Sequence, residues 1–262
     1  MENGRSDPDH CVVVERRDHV LVMTLDRPEV RNAVDQATSD AMAAALDEFD
    51  ADRDLRVGIV TGAGGCFSAG MDLKALSATG RRPSAGDRGF GGMLRRASDK
   101  PLIAAVEGFA LGGGLEMALA CDLIVAARDA RLGIPEVKRS LIAAGGGLRR
   151  LPRRLPVAVA AEMAFTGEPI DAQRAYDLGL VNRLAAPGGA LAAALELAAA
   201  IAQNGPLAIV ASKAVLERQW SWSDDEFFER QAEIYAPVAG SRDAREGVQA
   251  FVERRPPRWE GR

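Results

Sequence analysis

The chain has 262 residues, 47% of them hydrophobic, and a formal net charge of −4. That composition supports a substantial packed core, and the absence of a basic excess or stripe argues against a nucleic-acid partner. Three scattered cysteines (Cys11, Cys66, Cys121) and only two histidines (His10, His19) argue against a disulfide framework, a zinc cage or a histidine-rich metal site.

Residues 1–10 read as a loose polar arm holding Pro8, with no secretory pattern. With thiols expected to be reduced, the expectation is a cytoplasmic protein. Residues 11–15 and 20–25 read as a hairpin around Arg16-Arg17-Asp18. Asp35 is placed to cap a helix from about 36 to 52, with Met42, Ala45, Leu46 and Phe49 on one face. Residues 57–61 and 102–106 read as short buried strands, and 122–127 and 130–133 are further candidates. Helical patterns fall near 114–120 and 157–165. Residues 74–100, rich in Gly, Ser and Arg, read as a long, mobile, partly helical surface segment, either a binding loop or a tolerated insertion.

After Gly188-Gly189 the pattern is helical: 190–202, 207–219, 224–235 and 241–254. The first of these is too short and too interrupted by Glu196 to cross a bilayer, so no membrane partner is expected. Ser223 and Glu226 have capping-box spacing. Alternating strands and helices up to about 185 give a mixed α/β class. The expected division is a core over 1–189 and a helical region over 190–262.

Three glycine-rich stretches carry the chemistry. They are Thr61 to Leu73, Gly108 to Val125, and Ile134-Pro135-Glu136-Val137 followed by Ala143 to Gly147. None fits a P-loop or a dinucleotide fingerprint. A nucleophile elbow around Ser68 fails because Cys66 stands where the first glycine belongs. What remains is a pair of glycine turns at strand ends whose backbone N–H groups can meet in one cleft. Two such donors make an oxyanion hole, where removing one costs about 3–4 kcal/mol in known enzymes. Glu116 sits in an otherwise apolar helix, and Glu136 follows Pro135. Paired carboxylates can act on one water as base and acid. The residues alone leave another reading open: Glu116 as an exposed helix residue and Glu136 as a turn cap. A short basic cluster, Arg149, Arg150, Arg153 and Arg154, is able to hold a small anion.

The motifs resemble the enoyl-CoA hydratase/isomerase (crotonase) superfamily. The resemblance rests on Leu25-Asp26-Arg27-Pro28 with Arg31-Asn32-Ala33, on Cys66 to Leu73, and on Pro101 to Val125 with Gly112-Gly113-Gly114-Leu115-Glu116. Gly133-Ile134-Pro135-Glu136, Arg150-Leu151-Pro152 and Ala175 to Asn182 add to it. It runs from about residue 11 to the C-terminus. It implies an α/β fold, a crotonase-like spiral of ββα repeats with a C-terminal helical trimerisation region, and a homotrimer or a hexamer of two trimers. It also implies an acyl-CoA thioester substrate and no separate cofactor or metal, coenzyme A being part of the substrate.

By position, the resemblance puts the oxyanion-hole N–H groups on Ala69 and Gly113 and the catalytic carboxylates on Glu116 and Glu136. It puts substrate contacts on Arg31, Ala33, Ser68, Gly70, Met71, Asp72, Leu73 and Gly112. Both glutamates being present favours a hydratase that adds water to a 2-trans-enoyl-CoA, as in β-oxidation of fatty acids. The alternatives are an enoyl-CoA isomerase, another acyl-CoA enzyme of the family, or a catalytically silent CoA-binding protein. The chain departs from the family's hydratases at Ala143-Ala144, where they carry Pro-Gly, and Lys138-Arg139 adds charge.

Overall fold

The chain repeats one move: a strand in a large sheet, a short strand in a small sheet, then a helix. The computed structural model describes residues 11–262, so the expected arm at 1–10 lies outside the described residues. β1 (Val12–Arg17) and β2 (Val20–Leu25) form the expected antiparallel hairpin, in register from Val12↔Leu25 to Arg17↔Val20. α1 (Gln36–Ala51) begins at Asp35, whose carboxylate accepts the Thr38 N–H at 2.9 Å. Its Met42, Leu46 and Phe49 are fully buried, as their spacing required.

β3 (Val57–Gly62) leads through a glycine turn to α2 (Leu73–Thr79). β4 (Leu102–Val106), β5 (Phe109–Leu111) and α3 (Gly113–Ala120) make the next turn of the spiral. β6 (Leu123–Ala127) and β7 (Arg131–Gly133) follow, then a 3-10 helix at Pro135–Arg139. After α4 (Gly147–Arg154) and α5 (Val157–Thr166) come β8 (Ile170–Asp171), α6 (Ala172–Asp177) and β9 (Arg183–Ala185).

The large sheet has the order β1-β2-β3-β4-β6-β9, parallel throughout after the hairpin. The small sheet has the order β5-β7-β8, and a bridge from Ser68 to Ala110 carries it toward the turn after β3. Parallel strands are covered on both faces, which is why β4 is apolar at all five positions and fully buried. One core lies between the sheets and α1, α3 and α5.

The other face of the large sheet is sealed by α7 (Ala190–Ala202). It presents Ala190, Ala194, Ala198 and Ala202 every fourth residue, small enough for close approach to the strands. α7 therefore packs into the sheet. α8 (Pro206–Arg218), α9 (Asp224–Ala239) and α10 (Arg242–Glu253) follow it and leave Leu216, Trp220, Phe228, Tyr235 and Phe251 exposed. The capping box of α9 forms as expected between Ser223 and Glu226. No single helix among the described residues is long and apolar enough to cross a membrane.

Residues 74–100 are partly helical and exposed over 77–82, as expected, but the segment does not stay on the surface. α2 covers their start, but Arg88, Gly91, Gly92, Met93 and Leu94 are buried. Arg88, only 1% exposed, donates to Asp47 and Asp50 of α1 at 2.7 Å each. Gly91 packs against Met117 of α3. This stretch is a wall anchored in the core.

Candidate active site

The site begins with two turns clamped together. Asn32 donates from its side chain to the carbonyls of Ala63 (2.9 Å) and Cys66 (2.6 Å), which holds the loop after β3. Ser68 donates its hydroxyl to the Asn32 carbonyl at 2.8 Å and accepts the Gly70 N–H at 3.1 Å. The Ser68 N–H donates to Phe109, and the Leu111 N–H donates to Ser68. Gly70 has a φ of +90°, and a Cβ there would lie 2.6 Å from the Leu111 carbonyl oxygen and 2.9 Å from the Gly113 nitrogen. Only glycine permits both that conformation and that approach.

The clamp brings Met71 beside Gly113: a Cβ on Gly113 would sit 3.6 Å from the Met71 nitrogen. Gly113 is the first residue of α3, where the N–H has no helical acceptor. Among the described residues neither the Met71 nor the Gly113 N–H has a hydrogen-bond partner. Ala69 differs. Its N–H donates to the Arg31 carbonyl at 2.9 Å, so it is already used. The pair of available donors is Met71 and Gly113, which corrects the expectation of Ala69 and Gly113.

Glu116 lies one turn into α3 and is only 5% exposed, which rules out the exposed-helix reading. Its Oε1 accepts the Gly147 N–H at 2.8 Å. Burial pushes its carboxyl above the usual range, the Gly147 bond opposes that shift, and the nearby Glu136 adds to it. Glu136 starts the 3-10 helix behind Pro135. Its Oε2 is buried with no hydrogen-bond partner among the described residues. Burial raises its carboxyl too, and the positive charge of Arg139 opposes the shift. A Cβ on Gly112 would lie 3.3 Å from Glu136 Oε1, so the glycine leaves that carboxylate open.

Both glutamates face one cavity of about 590 Å³. Ala69, Met71, Leu73, Gly112 and Gly113 line it with them, so seven of the expected site residues meet. Arg31, Ala33, Ser68, Gly70 and Asp72 do not line it. Ser68 is fully buried and spends its hydroxyl on the turn. Asp72 caps α2, accepting the N–H groups of Lys74 and Ala75, and pairs with Arg27 at 3.2 Å. Arg31 lends its carbonyl to Ala69, and Ala33 lends its carbonyl to Arg27. These side chains and carbonyls build the turn.

The sequence singled out Arg149 and Arg150 as anion holders and 74–100 as a candidate binding loop, but not the other residues of the remaining wall. Phe90, Leu94 and Arg95 come from 74–100, and Leu141, Ile142, Arg149 and Arg150 from the stretch before and into α4. No periodicity marks them; basic density at 81–82, 95–96 and 149–150 is their sole trace. Among the described residues, no three His, Cys, Asp or Glu side chains converge as metal ligands.

The enoyl-CoA hydratase/isomerase family model matches residues 15–262. The chain is 41% identical to the enoyl-CoA hydratase EchA19 of Mycobacterium tuberculosis, over 268 positions and 100% of both chains. It is 43% identical to a carnitinyl-CoA dehydratase of Salmonella typhi, over 94% of this chain and 97% of that one. Among solved structures, the enoyl-CoA hydratase EchA1 of Mycobacterium marinum superposes with a TM-score of 0.94. That pair is 54% identical over 98% of this chain and 100% of the other. The spiral fold agrees with these matches, and the chain belongs to the enoyl-CoA hydratase/isomerase family.

Proposed function

We propose that the site adds water across the 2,3 double bond of a 2-trans-enoyl-CoA, giving a 3-hydroxyacyl-CoA. The observation that carries this reading is the pairing of a buried and a half-buried carboxylate in unlike surroundings, in one cavity with two unpartnered backbone N–H groups. The thioester oxygen takes hydrogen bonds from the Met71 and Gly113 N–H groups, which stabilise the enolate as negative charge moves onto that oxygen. Glu116, whose hydrogen bond from Gly147 favours the anion, takes a proton from water as the water oxygen bonds to C3. Glu136, half-buried with a buried, unpartnered Oε2 that favours the acid form, delivers a proton to C2. Over the cycle one O–H bond of water and the C2–C3 π bond break, one C–O and one C–H bond form, and the proton that Glu116 gains makes good the one that Glu136 gives up; the reverse reaction is a dehydration.

No separate cofactor enters this scheme, and coenzyme A arrives as part of the substrate. The apolar side chains exposed on α8–α10 support assembly as a homotrimer or a hexamer of two trimers. Sedimentation at several protein concentrations tests that assembly, and a monomer throughout would reject it.

The activity test follows loss of the conjugated enoyl-thioester absorbance. Wild type should remove it, and Glu136→Gln should lower turnover severely while CoA affinity changes little. Near-normal turnover in that variant would remove Glu136 from its role. An isomerase would create the conjugated absorbance from a 3-enoyl-CoA, so the direction of the change separates the two chemistries.

A further inference from the structure

Five arginines line the cavity beside its two glutamates: Arg82, Arg95, Arg139, Arg149 and Arg150. The whole chain carries a net charge of −4, so this positive wall is local. Outside the cavity arginines are of both kinds: several are compensated, and others, Arg53 and Arg183 among them, have no carboxylate within ion-pair distance among the described residues. Arg88 pairs with Asp47 and Asp50, Arg96 with Asp47 and Asp87, Arg174 with Glu162, and Arg255 with Glu246 and Glu253. The contrast between neighbours is direct: Arg96 has two carboxylate partners, and Arg95 lines the cavity. Among the described residues Arg82, Arg95, Arg139 and Arg149 have no carboxylate within ion-pair distance.

Their placement relative to the reacting groups matters. Arg150 is pinned by its guanidinium to the carbonyls of Gly145 (3.0 Å) and Leu94 (2.6 Å). Gly145 abuts Glu116, since a Cβ there would lie 2.6 Å from Glu116 Oε2. Arg139 ends the short helix that begins at Glu136. The arginines thus belong to segments that flank the two carboxylates: 81–95, the end of the 3-10 helix and the start of α4. The N–H donors lie on the turns at Met71 and Gly113. With the thioester oxygen on those donors and C3 at the glutamates, the acyl chain beyond C3 runs toward the arginine wall. Phe90, Leu94, Leu141 and Ile142 supply apolar surface along the way.

Resting on the hydratase reading, we propose that the acyl group taken by this site ends in a carboxylate held by the unpaired arginines of that wall. A methyl-ended tail gains nothing from uncompensated guanidinium groups. A carboxylate gains charge-assisted hydrogen bonds from them, for which the planar guanidinium fork is shaped. A tail with a fixed cation meets like charge, which discriminates against it. The carnitinyl group carries a trimethylammonium, so the proposal makes it a tail that this wall disfavours.

The test is steady-state hydration by the full chain of 2-enoyl-CoAs matched in length and ending in methyl, carboxylate or trimethylammonium. The expected kcat/KM favours carboxylate over methyl by about tenfold or more, the scale of one charge-assisted bond, with trimethylammonium slowest. Arg149→Gln and Arg95→Gln lower the carboxylate-to-methyl ratio toward one, and Arg149→Glu moves preference toward the cation. Equal losses on all three substrates in these variants would assign the arginines to CoA phosphates and overturn the proposal. A wild-type preference for the methyl-ended substrate would overturn it as well, with the hydratase reading intact. Hydration of none of the three would defeat the hydratase reading itself, and the proposal with it.

Discussion

The cavity has two walls built on opposite principles. The turn wall, Cys66 to Leu73 against Gly108 to Gly113, works through the backbone. Its side chains, Asn32 and Ser68 among them, are spent on holding carbonyls and N–H groups in place. The arginine wall works through exposed side chains on irregular segments, pinned at intervals by Arg88 and Arg150. The first wall has little freedom to vary, because Gly70 and Gly108 stand where a Cβ would collide with backbone. The second can change residue by residue without disturbing the fold. Chemistry common to a family belongs on the first wall, and substrate choice belongs on the second.

The sharpest way to break that division is at the carboxylates between the walls. Glu136→Gln and Glu116→Gln should each lower kcat by about 10²–10⁴-fold, the usual scale of general acid–base catalysis. Stopped or steady-state assays on a simple enoyl-CoA measure it. A loss confined to substrates with charged tails would mean that these residues serve specificity instead. Next in size is the anchor of the arginine wall. Arg88→Met removes the cation shared by Asp47 and Asp50 and leaves the carbonyls of Arg96 and Ala97 without their donor, and should cost about 1–3 kcal/mol in denaturant unfolding. An unchanged midpoint would show that the wall is held by its apolar residues alone.

Gly70→Ala tests the turn wall. Alanine at φ +90° against the Leu111 carbonyl should cost about 1–3 kcal/mol, and turnover should fall with it as the Met71 N–H is displaced. Full activity in a stable variant would remove the backbone argument.

A smaller effect concerns pH. Burial raises both carboxyls in the folded state, so folding favours their protonated forms. That contribution is fully present below the ordinary unfolded carboxylate pKa. It is lost as pH rises from there through the raised folded values. Glu136→Gln should therefore melt slightly above wild type at neutral pH, and the gap should close as pH falls below the ordinary carboxylate range. A gap that widens in acid would reverse the sign. The pH–rate profile should be bell-shaped, with its acid limb set by protonation of the base and its alkaline limb by ionisation of the acid.

Much of this was legible in the sequence. The cap at Asp35, the hairpin, the buried strands and the capping box at Ser223 follow from local rules, and local atoms satisfy them. Glu116 and Glu136 stood out because a carboxylate in an apolar run needs a reason. Ala69 could not be told from Met71, because the choice depends on a carbonyl contributed by Arg31, remote in sequence. Residues 74–100 looked loose because glycine and arginine are usually surface residues. Arg88 is buried only because α1 supplies two aspartates to receive it.

By itself the sequence determined where strands and helices form, which residues cap them, and which carboxylates are out of place in apolar surroundings. These are short-range matters of propensity, periodicity and capping, settled within a few residues. Tertiary structure alone decided which N–H groups stay free, which glutamate oxygen lacks a partner, and which arginines face a common cavity. Each of those depends on whether a distant segment brings a hydrogen-bond partner or a counter-charge, and only the folded spiral sets those approaches.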